Sequence, residues 1–187
     1  YLVSSSNKCI QGMAGISFVV CNELSLDKTK NLPVSSFYLN LYKQYDYIKK
    51  TGEMRFTPPV QTMYALKQAI DEYFDEGGDK RYLRYTKNWK TLREGIEKLG
   101  FQLLLDSKDE SHILLTVINP DNLKFDFEKI HDLLYDKNFT IYPGKVGTKK
   151  TFRLANMGAI NSEDISKFLI EFKRILNKLG LNELIYN

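Results

Sequence analysis

The stretch Tyr1-Leu2-Val3-Ser4-Ser5-Ser6-Asn7-Lys8-Cys9-Ile10-Gln11-Gly12-Met13-Ala14-Gly15 decides how the chain is read. An apolar run leads into a Ser/Asn segment, a single lysine follows, and small residues open a second apolar run, Ile16 to Cys21. The pattern predicts strand, turn, strand. Gly12 and Gly15 permit backbone angles that other residues resist, so a ligand or a neighbouring strand can come close. A lysine in a half-buried turn loses hydration, and a neutral amine attacks carbonyl carbons, which is the chemistry of a Schiff base. The alternative is a surface lysine in a connecting loop, and spacing alone does not separate the two.

Downstream, Asn22 to Asn31 is polar and reads as a loop or short turn. Phe37 to Lys50 carries Leu39, Leu41, Tyr42, Tyr45 and Ile48 near helical spacing, with Gly52 as its stop. Pro58 and Pro59 impose an extended lead-in to a long helix whose apolar stripe runs from Val60 to Phe74. Gly77-Gly78 breaks that helix and marks the boundary between residues 1–76 and a second region, 77–187.

A further helix is expected from Asp79 to Leu99, burying Leu83, Trp89, Leu92, Ile96 and Leu99. After Gly100 the period changes. Phe101–Leu105, His112–Ile118, Phe139–Tyr142 and Thr151–Ala155 read as strands, with helices at Phe125–Tyr135 and Ser162–Leu179, the last capped by Ser162 with Asp164 in its first turn. The second region is thus an α+β unit with helices on one face of a sheet.

Composition bounds the function. With 43% hydrophobic and 27% charged residues the chain is globular, and a net charge of +4 interleaved with acids forms no nucleic-acid stripe. Cys9 and Cys21 lack metal-ligand spacing, which points to a reducing, cytoplasmic setting, and His112 and His131 have no ligand spacing either. No apolar run reaches the roughly 20 residues of a membrane span, so a soluble chain is expected. The first residue, Tyr1, falls inside a strand pattern, as if the sequence begins partway through a fold.

Two more constellations stand out. Arg55-Phe56-Thr57-Pro58-Pro59 places a guanidinium and a hydroxyl ahead of a helix N-terminus, where a phosphate can sit. In Thr151-Phe152-Arg153-Leu154-Ala155, strand alternation turns Arg153 to the face opposite Phe152 and Leu154, where it either grips an acid group or caps a sheet edge. Ser5-Ser6-Asn7-Lys8 and Lys50-Thr51-Gly52 formally match the S-x-x-K and K-T-G of serine acyl-transferases, but the S-D-N element is missing and the lysine opens no helix.

The lysine segment, Tyr1 to Gly12, resembles that of 2-aminoethylphosphonate–pyruvate transaminases, a group within the class V, fold-type I pyridoxal-phosphate aminotransferases. Further similarities follow in order: Arg55 to Pro59, Glu76-Gly77-Gly78, Arg84-Tyr85, Leu99-Gly100-Phe101, Ile141-Tyr142-Pro143-Gly144-Lys145 and Phe152 to Gly158. The resemblance implies an α/β fold: the end of the large cofactor domain with its connecting helix in residues 1–76, and a small C-terminal domain in 77–187. It implies transfer of an amino group from 2-aminoethylphosphonate to pyruvate, giving phosphonoacetaldehyde and alanine, in phosphonate degradation. Lys8 would bind pyridoxal 5'-phosphate and shuttle protons, Asn7 would touch the cofactor phosphate, Thr57 would reach the phosphate in a partner subunit of a homodimer, and Arg153 would bind the substrate's acid group. The family's aspartate for the pyridine nitrogen, stacking aromatic and phosphate loop have no counterpart here, so the resemblance covers the C-terminal half and implies a missing N-terminal half, without which the fragment would be inactive. Ala14 stands where the family pattern leads one to expect proline. Other class V aminotransferases acting on alanine, serine or glyoxylate, or a non-catalytic α+β dimerisation module, are the alternatives.

Overall fold

A computed structural model describes residues 1–184 and 186, and divides the chain into two units, Tyr1–Asp75 and Glu76–Asn187. The first begins with the hairpin that its sequence predicts. Strands β1 (Leu2–Ser5) and β2 (Ser17–Val20) pair antiparallel, Leu2 opposite Val20 and Ser5 opposite Ser17.

A short helix, α1 (Glu23–Asp27), lies where a loop was expected. Five residues are too few for a helical period to show, but the Asn22 side chain accepts from the Ser25 amide and so caps it. Helix α2 (Leu41–Thr51) starts later than the apolar spacing suggests, because the Asn40 side chain accepts from Lys43 N and fixes the first turn there. Gly52 ends α2 in the left-handed region, φ 73°. Helix α3 (Val60–Glu76) follows the two prolines. This unit buries few apolar side chains, Leu26 and Ala69 among them, while Val3, Phe37, Leu39 and Phe74 are each more than 70% exposed.

In the second unit, Gly77 with φ 86° separates α3 from α4 (Gly78–Lys98). Leu92 and Ile96 are buried and Trp89 and Leu99 partly so, as expected, but Leu83 is 65% exposed. The buried stripe runs instead through Arg81, Tyr85, Asn88, Leu92 and Ile96, spaced three and four apart. Its polar members are matched by partners described below, so hydrophobicity alone could not mark the face. Near the other end of α4, a Cβ on Gly95 would lie 2.3 Å from Leu169 Cδ1, so Gly95 is where a second helix crosses closely.

That helix is α6 (Ser162–Lys178), which closes the chain after strand β3 (Leu114–Ile118), helix α5 (Phe127–Tyr135) and the hairpin of β4 (Tyr142–Val146) and β5 (Lys149–Ala155). The sheet order is β3-β5-β4, antiparallel throughout. Phe101–Leu105 contributes only an isolated bridge, Leu103 to Val117, rather than a strand, and Phe139–Tyr142 meets the sheet only at Tyr142. Proline at Pro143 is tolerated because β4 is an edge strand. The N-cap of α6 is Asn161, not Ser162: its side chain accepts from Glu163 N and Asp164 N, and Asp164 returns the bond to Asn161 N.

One face of the sheet carries Leu115, Val117, Phe152 and Leu154, all buried, against Ile130 and Leu134 of α5, Leu92 and Ile96 of α4, and Phe168, Phe172, Ile175 and Leu176 of α6. Phe101 stacks on Phe172 and meets Phe152 edge-on, so aromatic contacts knit the centre. Among the described residues, no helix is long and apolar enough to cross a membrane.

Candidate functional site

The loop between β1 and β2 is built around Ser6, which is fully buried. Its amide donates to Ile16 O at 3.0 Å, its carbonyl accepts from Gly12 N at 2.8 Å, and its hydroxyl donates to Met13 O and Ile16 O. A Cβ on Gly12 would lie 3.1 Å from Ser6 O, so glycine permits the loop to fold back tightly. Gln11 N donates to Lys8 O at 2.9 Å, closing a turn over residues 8–11 with Gln11 at φ 66°. Lys8 therefore sits on a backbone held from both sides. Its side chain is exposed, contrary to the half-buried turn expected from sequence: these residues lock the loop but do not shield the amine.

Beside it, Asn7 is half-buried, and its Oδ1 accepts from the Ser5 hydroxyl at 2.8 Å, which leaves the amide N–H₂ as the donor end of the side chain. Gly15, later in the same loop, packs against Thr62 in the first turn of α3, 3.5 Å from where its Cβ would be. The Lys8 loop and the Thr57 segment thus flank the start of one helix. Thr57 is exposed. Arg55, grouped with Thr57 by sequence, has its guanidinium 4.7 Å from the Phe37 ring and 4.8 Å from the Phe56 ring, and donates to Phe37 O at 3.1 Å. It braces the lead-in to α3.

Arg153 lies in the second unit, on the central strand β5. Phe152 and Leu154 point into the core and Arg153 is exposed on the opposite face, in a row with Thr116 and Tyr142. The segment after it is pinned to α4. Asn156, fully buried, donates to Tyr85 O and His112 O; Tyr85 Oη accepts from Gly158 N; Arg84 donates to Gly158 O at 2.8 Å and Ile160 O at 3.0 Å; Asn88 donates to Ile160 O. Arg84 is itself oriented by Glu76, through Nε to Oε1 at 2.7 Å and a second bond to Oε2, which also accepts from Arg81. The Arg84 guanidinium, outweighing burial and aided by Arg81, holds the Glu76 carboxyl down at about 2. Sequence reasoning noted Glu76, Arg84 and Tyr85 without giving them a task, and missed Asn88 altogether. The signal for it was its place on the Arg81–Ile96 stripe.

The residues fit part of a carbonyl-bearing cofactor's needs. An exposed primary amine on a locked turn, with an amide donor beside it, suits an aldehyde flanked by an anionic group. No cluster of His, Cys, Asp and Glu fit for a metal ion occurs among the described residues.

Comparison with known proteins bears on the fold and the sequence. No protein-family model matches the chain. Among solved structures, pyridoxamine–pyruvate aminotransferase from Mesorhizobium loti superposes with a TM-score of 0.83 at 21% identity, over 95% of this chain and 46% of that one. Alanine–glyoxylate aminotransferase from Nostoc sp. gives 0.80 at 23% identity, over 93% and 47%. The fold is therefore the one that these fold-type I aminotransferases have over about half of their length.

In sequence the chain is similar to the C-terminal half of 2-aminoethylphosphonate–pyruvate transaminases. It is 38% identical over 182 residues to one from Burkholderia lata, covering 96% of this chain and 49% of that protein, and 38% identical over 177 residues to one from Phocaeicola vulgatus, covering 94% and 48%. A bifunctional phosphonoacetaldehyde hydrolase/aminoethylphosphonate transaminase from Clostridioides difficile is 37% identical over 180 residues, covering 95% and 28%. The chain spans about half the length of the first two relatives.

Proposed function

We propose that this chain is the C-terminal half of a pyridoxal-phosphate aminotransferase that moves the amino group of 2-aminoethylphosphonate to pyruvate, giving phosphonoacetaldehyde and alanine. The observation that carries the reading is Lys8, a single exposed amine on a turn locked through buried Ser6, in a chain similar along its length to transaminases with that activity in their names. When bound, pyridoxal phosphate supplies an aldehyde and a ring that accepts electrons released at the substrate carbon. Lys8 Nζ would hold the cofactor through its aldehyde and would serve as the base that takes a proton from the substrate carbon and returns it. The Asn7 amide donates to the cofactor phosphate. The Thr57 hydroxyl serves the phosphate held in a second subunit, which makes the working form a homodimer. Arg153 offers paired N–H donors to the phosphonate or carboxylate of the substrate.

The first unit's exposed apolar residues, Val3, Phe37, Leu39 and Phe74 among them, support covering by the N-terminal half of a longer polypeptide, which would also shield Lys8 from water. A reducing, cytoplasmic setting is part of this reading, since the spacing of Cys9 and Cys21 suits neither a disulfide framework nor a metal site. The test is borohydride trapping of pyridoxal phosphate on the full-length polypeptide, mapped by peptide mass spectrometry. The adduct is expected on Lys8 and is absent from Lys8→Ala protein; an unchanged yield of adduct in that variant sinks the assignment.

A further inference from the structure

Arg153 shares its face of the sheet with Thr151, two residues earlier on β5, and both lie beside β4, where Gly144 pairs with Thr151 and Tyr142 with Arg153. A Cβ placed on Gly144 would lie 2.6 Å from Thr151 Oγ1 and 3.3 Å from Arg153 Nε. The first distance is a collision and the second leaves no slack. Thr151 is only 2% exposed, so its side chain has little room to swing aside. The Nε end of Arg153 therefore rests over the gap that Gly144 leaves in the edge strand, instead of standing away from the sheet.

This is an unusual use of a strand glycine. Gly144 is not among the residues of positive φ, so the backbone does not require it there. Glycine inside a strand weakens it and marks a place where something approaches closely. What approaches here is the Thr151 hydroxyl and the Arg153 side chain. Among the described residues, Thr151 Oγ1 is buried with no hydrogen-bond partner, so its removal costs no bond.

We propose that Gly144 is a positioning residue for Arg153: by lacking a side chain it forms the groove that lays the guanidinium across β4, and so fixes where the acid group of the substrate is gripped. This rests on the substrate-binding role proposed above for Arg153. Displacement of a positioning group by about 1 Å can cost up to about a hundredfold in efficiency, so a Cβ in the groove is felt mainly in substrate binding.

The experiment compares KM and kcat for 2-aminoethylphosphonate and pyruvate in the full-length polypeptide carrying Arg153→Ala, Gly144→Ala, Thr151→Ala and the Gly144→Ala/Thr151→Ala pair. Gly144→Ala is expected to raise KM for an acidic substrate about tenfold with kcat within about twofold, and the pair to keep most of that rise, because losing the hydroxyl relieves the collision with Thr151 while the Cβ still sits 3.3 Å from Arg153 Nε; full recovery in the pair overturns the groove. Arg153→Ala should raise KM at least as much. An unaltered KM in Gly144→Ala beside a raised one in Arg153→Ala overturns the positioning role and leaves the function standing. An unaltered KM in Arg153→Ala overturns the role of Arg153 itself. A measurement on the wild-type chain keeps the idea exposed if Gly144→Ala does not fold. The Nε–H resonance of Arg153, identified by its loss in Arg153→Lys, should stand apart from those of solvent-exposed arginines; its coincidence with them overturns the proposal.

Discussion

Replacing Glu76 with glutamine removes the charge that orients Arg84 and Arg81 while leaving the side chain's shape. Arg81 is 4% exposed and Glu76 is 24% exposed, so the cluster is buried on one side only. Breaking a buried ion pair costs about 3–5 kcal/mol, and partial exposure of the carboxylate lowers that toward about 2 kcal/mol. The depression of the Glu76 carboxyl from 4.5 to about 2 is worth about 3 kcal/mol at about 1.4 kcal/mol per tenfold, or about 2 kcal/mol after discounting for solvent.

Trp89 is the only tryptophan and lies in the second unit, its Nε1 donating to Glu110, so its fluorescence reports that unit's unfolding. With a urea slope of about 1.5 kcal/mol/M for a unit of this size, Glu76→Gln should lower the midpoint by about 1.3 M at pH 7. Because the folded-state value is depressed, the contribution is fully present above the unfolded value near 4.5 and is lost as pH falls toward about 2. Wild type should therefore lose most of this stability between about pH 5 and pH 2, and the variant's deficit should shrink over the same range. A pH 7 midpoint shift below about 0.3 M, or curves that stay parallel down to pH 2, would refute the reasoning.

Two further substitutions probe the packing of α6 on the second unit. Gly95→Ala drives a Cβ to 2.3 Å from Leu169 Cδ1; the leucine end can shift, so a loss of about 1–2 kcal/mol is expected in the same fluorescence assay, and Leu169→Ala in the same chain should recover part of it. Asn161→Ala deletes the side-chain acceptor of the capping box of α6, leaving the backbone N–H of residue 161 donating to Asp164, and should cost about 1 kcal/mol, visible as faster amide exchange at Glu163 and Asp164.

The parts of the fold with a strong local signal were readable from residues alone. Gly52 and Gly77 stand where helices break, Pro58-Pro59 precede α3, and the alternation of Thr151 to Ala155 placed Arg153 opposite Phe152 and Leu154. Errors arose where a tertiary partner outweighed the local pattern. The α4 stripe hides polar residues because Glu76 accepts from Arg81 and Ile160 O accepts from the Asn88 amide, and Leu83 is left outside. The Phe101–Leu105 run is apolar enough for a strand, yet pairs with β3 only as a bridge. At the candidate site, the tight turn at Lys8 was legible from Gly12 and the Ser/Asn run. Its exposure was not, since burial of a loop depends on what lies over it. Nor could sequence show Arg55 packed against two phenyl rings that meet edge-on, a contact with Phe37 that spans eighteen residues.

The hairpin that presents Lys8 has one more consequence. Within the described residues β1 and β2 pair only with each other, so each has an outer edge of unpaired backbone groups, flanked by Leu2, Val3, Phe18, Val19 and Val20. Such edges template the addition of another strand. Two molecules of this segment meeting edge to edge would complete each other's hydrogen bonding, so the order of reaction in protein concentration becomes a property of this ribbon. Charged substitution at Val3 or Val20, both outward and exposed, would act as a gatekeeper against such pairing without touching the Ser6 lock that sets Lys8.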